Sequence, residues 1–450
     1  MKKRFIFILC SLFLCAGTIA ATDYNALQQG AVGDGKTLNT KSLQSAIDAL
    51  HAKGGGQLYF PAGRYLTGSL QLKSNVTLYL EKEAVLLGST SPYDYPGFST
   101  EKELKVNNDH FDQALIYAEG AENIGITGEG CIDGQGRELA LTIDSLHVEN
   151  RAYWNNDGIN ISDCKDVRIS NCFINSADDG ICLKSHNRGA WNDRVSISNC
   201  HIISSASAIK FGTESLGGFK NVTIDNIRIK DTFRSAIAIE SVDGAEIENV
   251  QVSNVHAVNT GNAIFIRLGH RSGEQPGYLR NVTIKDMYVE VPFGRPDINY
   301  DLRGPAVTFF HNPFPSSISG IPGHDIENVK LENIEIVYPG RATRGIAYMS
   351  VSRLKDVPEN EKGYPEFTMF EELPSWGFYV RHVKGIQMHN IKLRLQEDDF
   401  RPAFVFDRVS DVRLSDISLP ENKKAGQVVL RQTSLQSADN AVKEYITEVE

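Results

Sequence analysis

Three aspartates carry the chemistry this sequence could perform. Asp157 lies in Tyr153-Trp-Asn-Asn-Asp-Gly-Ile-Asn160, and Asp178 and Asp179 lie in Ser176-Ala-Asp-Asp-Gly-Ile-Cys-Leu-Lys-Ser185. Carboxylates gathered in one small area repel when ionised, which raises the pKa of at least one. A protonated carboxyl able to protonate a leaving oxygen, beside an ionised one able to activate water, is what glycosidic hydrolysis requires. Two blander readings stay open at this point. Asp-Gly is a common turn signal, and solvated turn aspartates need no function; three carboxylates could also form a calcium site. Adjacent strand residues point to opposite faces, so Asp178 and Asp179 share a site only if a bend before Gly180 turns both toward it.

The elements that must position these residues are short and repetitive. Alternating β-branched segments recur as Asn75-Val-Thr-Leu-Tyr-Leu80, Asp166-Val-Arg-Ile-Ser170, Arg194-Val-Ser-Ile-Ser198, Asn221-Val-Thr-Ile-Asp225, Asn281-Val-Thr-Ile-Lys285 and Asp411-Val-Arg-Leu-Ser415. Val167 to Val195 spans 28 residues, Val195 to Val222 spans 27, and Val222 to Ile247 spans 25 (differences of residue numbers). A period in the twenties with little helical pattern predicts an all-β solenoid, a single parallel β-helix whose coils bury their inward Val, Ile and Leu only by stacking. Asp157 and Asp178, 21 positions apart (178 − 157), would then sit on neighbouring coils, about 4.8 Å apart. Asn171, Asn199, Asn226 and Asn254 fall at corners, suited to hydrogen bonding between coils or to left-handed backbone angles.

Leu43, Ile47 and Leu50 at helical spacing, with Asn39 or Thr40 as cap, predict a short N-terminal helix covering the open end of the stack. The period breaks at 274–322 and 357–376, read as loop insertions in one domain over 21–450.

Met1 to Ala20 has a basic start (Lys2, Lys3, Arg4), an apolar run and a small-residue end, the layout of a cleaved secretory leader. Export to the periplasm or beyond is expected, with acylation at Cys15 disfavoured by Leu12, Phe13 and Leu14 before it. Losing three cations takes the formal charge from −10 to about −13; an acidic chain without a basic tail argues against nucleic acid. No later apolar run reaches the ~20 residues of a membrane span. Cys131, Cys164, Cys172, Cys182 and Cys200 fall in apolar segments and read as buried side chains rather than ligands or disulfides. The chain is expected to be monomeric, with neither cofactor nor metal.

The chain resembles the polygalacturonases of glycoside hydrolase family 28, in their bacterial secreted branch. The resemblance covers Tyr24-Asn-Ala-Leu-Gln-Gln-Gly-Ala-Val-Gly-Asp-Gly-Lys36 and the Gly-Gly-Gly to Pro-Ala-Gly stretch, which mark pectin-lyase-like right-handed helices broadly. More specifically, Asn155-Asn-Asp-Gly158 is similar to the family's Asn-Thr-Asp-Gly, and Asp178-Asp179 with Lys184 to its Asp-Asp motif. The resemblance implies inverting hydrolysis of a pectic poly- or oligosaccharide, with Asp178 as general acid and Asp157 and Asp179 activating water. Two family motifs are missing. Ser207 or a neighbour stands where the Gly-His-Gly histidine is expected, and Ser235-Ala-Ile-Ala-Ile-Glu240 stands where Arg-Ile-Lys would grip a galacturonate carboxylate. Arg228-Ile229-Lys230 begins a coil and reads as ordinary strand.

Substrate contacts are therefore sought at Trp154, Asn156, Lys184, Lys210, Arg267 and His270, with Arg271 as a further cation. Glu240 would meet sugar hydroxyls and points toward a neutral or differently linked sugar. Tyr153, Trp154, Trp191, Phe309-Phe310 and Trp376 could offer aromatic faces to sugar rings or anchor loops. The segment Tyr364 to His382 resembles those of exo-acting or side-chain-releasing members. Alternatives are a carbohydrate-binding β-helix without turnover, and a polysaccharide lyase, for which no cluster of basic residues stands out.

Overall fold

The computed structural model describes residues 22–89, 94–95, 114–134, 147–151, 155–294, 314–343, 349–423 and 426–450. Within them the chain winds as a right-handed parallel β-helix. The pairings between its strands are parallel and join each coil to the next. One apolar core runs through the stack from Ala26 to Val442. The expected leader, 1–20, and Tyr153, Trp154, Phe309 and Phe310 lie outside the described residues.

Register shows how alternation becomes a solenoid. Arg168 pairs with Ser196, and Val195 with Val222, as the spacing predicts. Val222, however, pairs with Val250, and Ile247 with Phe219. The 25-residue interval inferred from Val222 to Ile247 thus joins two different strand segments; the coil itself is 28 residues (250 − 222). Later coils stretch to 47 and 57 residues. Their extra length falls between Glu290 and Ser316 and between Tyr338 and Phe378, shifted from the bounds drawn on periodicity alone.

The corner asparagines do two jobs at once. Asn171, Asn199, Asn226 and Asn254 all hold φ between 52° and 57°, a left-handed conformation that Asn tolerates better than most side chains. The Asn199 amide donates to Asn171 Oδ1 at 3.2 Å and the Asn226 amide to Asn199 Oδ1 at 2.7 Å, forming a ladder between coils. The amide of Asn254 departs from that ladder and donates to Asp225 Oδ1 at 2.7 Å.

At the start of the stack, helix Thr40–Ala52 buries Leu43, Ala46, Ile47 and Leu50 against the first coils. Asn39 stands at its cap position but does not cap it. Its side chain instead bonds the backbones of Val32, Thr37 and Leu66, tying the opening loop to the first coil. All five described cysteines are buried free thiols. No helix among the described residues is long and apolar enough to cross a membrane.

Candidate active site

The aspartates are positioned by two strands one coil apart, Ile159–Ser162 and Ile181–Ser185, in register from Ile159 with Ile181 to Ser162 with Lys184. That 22-residue offset sets Asp157 over Asp179, not over Asp178 as the 21-residue spacing suggests. Asp178 and Asp179 lie in the bend between strands Phe173–Ser176 and Ile181–Ser185. Strand alternation therefore does not separate them. Backbone bonds fix the stack: Gly158 N–H donates to Asp179 O at 2.8 Å, and Gly180 N–H to Ser207 O at 2.8 Å. Both glycines are required by close approach. A Cβ on Gly180 would lie 2.4 Å from Ile202 Cγ2 and 2.5 Å from Ala208 O, and one on Gly158 would meet Ile174 Cγ2 at 2.4 Å.

One oxygen from each of Asp157, Asp178 and Asp179 falls within 4.8 Å of the others. Such a group could hold a cation, but two buried ammonium groups already supply positive charge. Lys184 Nζ lies 3.3 Å from Asp157 Oδ2, and Lys210 Nζ lies 3.2 Å from Asp179 Oδ2. Burial lifts the Asp157 carboxyl to about 6 against the pull of Lys184, with repulsion from Asp179 and Asp178 adding to the rise. Burial also works against ionised Asp179, but Lys210, Arg234, the Ser207 N–H at 3.0 Å and Lys184 hold it below the usual carboxylate value. Asp178 is the partly exposed member, its Oδ1 accepting from Asp179 N–H at 2.9 Å. Asp157 and Asp179 thus differ in proton affinity although they stand side by side.

The remaining candidates divide sharply. Lys184, Lys210 and Glu240 gather at the site, Lys210 Nζ lying 3.8 Å from Glu240 Oε2. Burial pushes the Glu240 carboxyl up to about 8 despite Lys210. Asn156 touches the site through its backbone, its carbonyl accepting from Asp178 N–H at 3.1 Å. Arg267 is placed differently from the expectation. It is wholly buried, and its guanidinium donates to Ser319 Oγ, Gly320 O and Glu359 O at 3.0, 3.0 and 2.8 Å. Those bonds pin the 349–376 insertion to the coils, so the group is committed to structure. His270 turns back on its own loop, with Nε2 3.2 Å from Gly273 O, while its N–H donates to Glu361 O at 2.7 Å. Arg228 and Lys230 are exposed, Arg228 standing in register between His201 and His256 on adjoining coils. Trp376 is fully buried against Tyr338 in the core, an anchor rather than a sugar platform. Trp191 lies under Lys220, whose ammonium is 4.6 Å from the ring centroid.

Sequence reasoning missed the residues that the insertion brings back to the site. The Tyr364 hydroxyl accepts from Lys210 Nζ at 3.2 Å, and Glu366 pairs with Arg234 Nε at 2.5 Å. The insertion lies on the outward face of the coils that follow the aspartates. Met349, Leu354, Val357, Phe367, Phe370 and Leu373 pack there with Ala238, Phe265 and Tyr379. Lys210, Ala238 and Phe265 are consecutive members of one outward column, so the face is covered from the coil next to Asp179 onward. Only the break in period signalled this; the contacts span more than a hundred residues of chain.

Residues 24–256 match the family described as Rhamnogalacturonase A/epimerase, pectate lyase-like. A "Probable polygalacturonase" of Vitis vinifera is 28% identical over 312 residues, covering 57% of this chain and 59% of the relative. The "Exo-poly-alpha-D-galacturonosidase" of Dickeya chrysanthemi is 36% identical over 149 residues, 30% of this chain and 24% of that one. The matches thus span less than two thirds of these relatives' length. Among solved structures, the family 28 exopolygalacturonase of Yersinia enterocolitica shares the fold, with a TM-score of 0.55 and 19% identity over 89% of this chain and 79% of that one.

Proposed function

The chain belongs to the rhamnogalacturonase A/epimerase, pectate-lyase-like family, and from that premise we propose that it is an inverting glycoside hydrolase acting on a pectic polysaccharide or oligosaccharide. The observation that carries the reading is the convergence of Asp157, Asp178 and Asp179 within 4.8 Å, two of them paired with buried lysines. In this reading Asp178 protonates the leaving oxygen, while Asp157 and Asp179, held by Lys184 and Lys210, activate the attacking water. The names of the relatives, two of them galacturonan hydrolases, support the substrate class. Action at chain ends is part of the proposal. It is supported by the insertion, whose apolar residues pack over the face beyond Asp179. Work outside the cytoplasm is supported by the composition of Met1 to Ala20.

Inverting pairs stand ~6.5–9.5 Å apart to admit a water, and retaining pairs ~5–5.5 Å apart. Inversion is inferred from the family resemblance, and proton NMR of the first-formed anomer decides the matter. The test of function incubates the full chain with galacturonan and rhamnogalacturonan polymers and oligosaccharides. New reducing ends, absent from Asp178→Asn, are expected, released as small products from chain ends. Unsaturated products would mark a lyase. Binding without products across the panel would leave a carbohydrate-binding β-helix and sink the hydrolase.

A further inference from the structure

Lys210 has a position that packing does not explain. It occupies an outward column whose neighbours are Asn160, Cys182, Ala238 and Phe265 on adjoining coils. Ala238 and Phe265 show that small or apolar groups fill the column well, and both are buried beneath the insertion. At 2% exposure an ammonium is costly there, since a buried charge loses its hydration before pairing returns any of it. The cation occurs beside Asp179, with Glu240 on its other side and the Tyr364 hydroxyl at 3.2 Å. The Tyr364 ring lies 5.3 Å from the same ammonium. Tyr364 is 48% exposed and comes from the insertion, which Arg267 pins to the coils. Three stretches distant in sequence therefore meet on one buried nitrogen.

We infer that Lys210 is a positioning residue for Asp179, and that docking of the 349–376 insertion completes the catalytic site by fixing Lys210 through Tyr364. The inference rests on the hydrolase reading above and assigns a task to residues outside the aspartate motifs. Asp179 is faced by Lys210, Arg234, Lys184, Asp157, Asp178 and Glu240; Lys210 is faced by Asp179, Glu240, Tyr364 and Arg234. Burial would otherwise drive Asp179 toward its neutral form, and Lys210 is the strongest of the groups opposing that. Glu240, raised to about 8 by burial, is protonated through neutral pH and leaves the charge of Lys210 to Asp179. The ammonium thereby keeps Asp179 ionised and turned toward the water it must activate.

The test compares Lys210→Met, Lys210→Arg and Tyr364→Phe with the wild-type full chain. Carboxyl 13C NMR follows the Asp179 titration, assigned by its loss in Asp179→Asn, alongside the pH profile of turnover on pectic oligosaccharides. In Lys210→Met the Asp179 midpoint should rise by about one pH unit or more. Its kcat should fall about 100-fold with KM little changed, and Lys210→Arg should restore part of each. Tyr364→Phe removes one exposed hydroxyl and keeps the test alive if Lys210→Met does not fold; kcat should drop about threefold or more, with the Asp179 midpoint moving the same way. An Asp179 midpoint unmoved in Lys210→Met overturns the inference whatever the turnover, and wild-type kinetics in Tyr364→Phe overturn the part given to the insertion. A wild-type chain that hydrolyses no pectic substrate, while Asp179 still shifts in Lys210→Met, sinks the hydrolase reading and leaves the Lys210–Asp179 coupling standing.

Discussion

Replacing Glu240 by glutamine should change how stability depends on pH. Glu240 is 2% exposed, and burial moves its carboxyl from 4.5 to about 8. A carboxyl whose folded pKa lies above its unfolded one favours folding while protonated. That contribution is complete below pH 4.5 and is lost as pH rises through about 8. Across the interval, ~1.4 kcal/mol per pH unit amounts to on the order of 5 kcal/mol. Glutamine keeps the size and polarity but does not ionise, and Lys210 retains Asp179 as its partner at 3.2 Å. Glu240→Gln should therefore gain on the wild type steadily between pH 4.5 and 8. With ~2.1 cal/mol/K of unfolding entropy per residue, the chain loses about 0.9 kcal/mol per degree, so the gap in Tm should widen by about 5 °C. Thermal unfolding followed by circular dichroism at half-unit pH steps measures it. A gap constant to within about 1 °C over that range would refute the reasoning, because it would mean Glu240 ionises in the folded chain as readily as in the unfolded one.

Hydrolysis should fall as pH drops through about 6, since Asp157 must be ionised to activate water and burial sets its proton affinity there. Lys184→Met, which deletes the ammonium 3.3 Å away, should move that acidic limb of kcat/KM upward; a limb moving down or staying put would contradict the role of the pair. Gly180→Ala should cost about 3 kcal/mol and most of the activity, because its Cβ would meet Ile202 and Ala208 O at 2.4 and 2.5 Å; urea unfolding and turnover test both. Asn226→Ala should lower stability by about 2 kcal/mol through a left-handed backbone angle and a lost ladder bond. Asn226→Gly, which relieves the backbone part, should lose less; equal losses would show that the angle carries no cost.

Much of the fold can be read from alternation alone, because a coil that buries every second residue writes its own period into the chain. Val167, Val195 and Val222 repeat at the true coil length, and the corner asparagines mark the turns between segments. Ile247 misleads for a physical reason: two strand segments of one coil have the same alternating pattern, and hydrophobicity does not say which corner separates them. Arg267 misleads in the same way, and Trp376 takes the anchor role of the two the sequence left open. A cation or an aromatic ring near a cleft has the same letter whether it faces a sugar or anchors a loop, and burial decides between them.

What the sequence by itself determined is the solenoid, the capping helix and the two aspartate motifs, since each is a local pattern or a fixed interval along the chain. What only the tertiary structure decided is which groups share a field. The 22-residue register sets Asp157 over Asp179, the bend before Gly180 turns Asp178 into the same space, and Lys184 and Lys210 neutralise two of the three carboxylates. Tyr364 and Glu366 reach the site from an insertion more than a hundred residues away. Electrostatic interactions depend on distance and burial, and neither is written in the order of residues once the chain has folded back on itself.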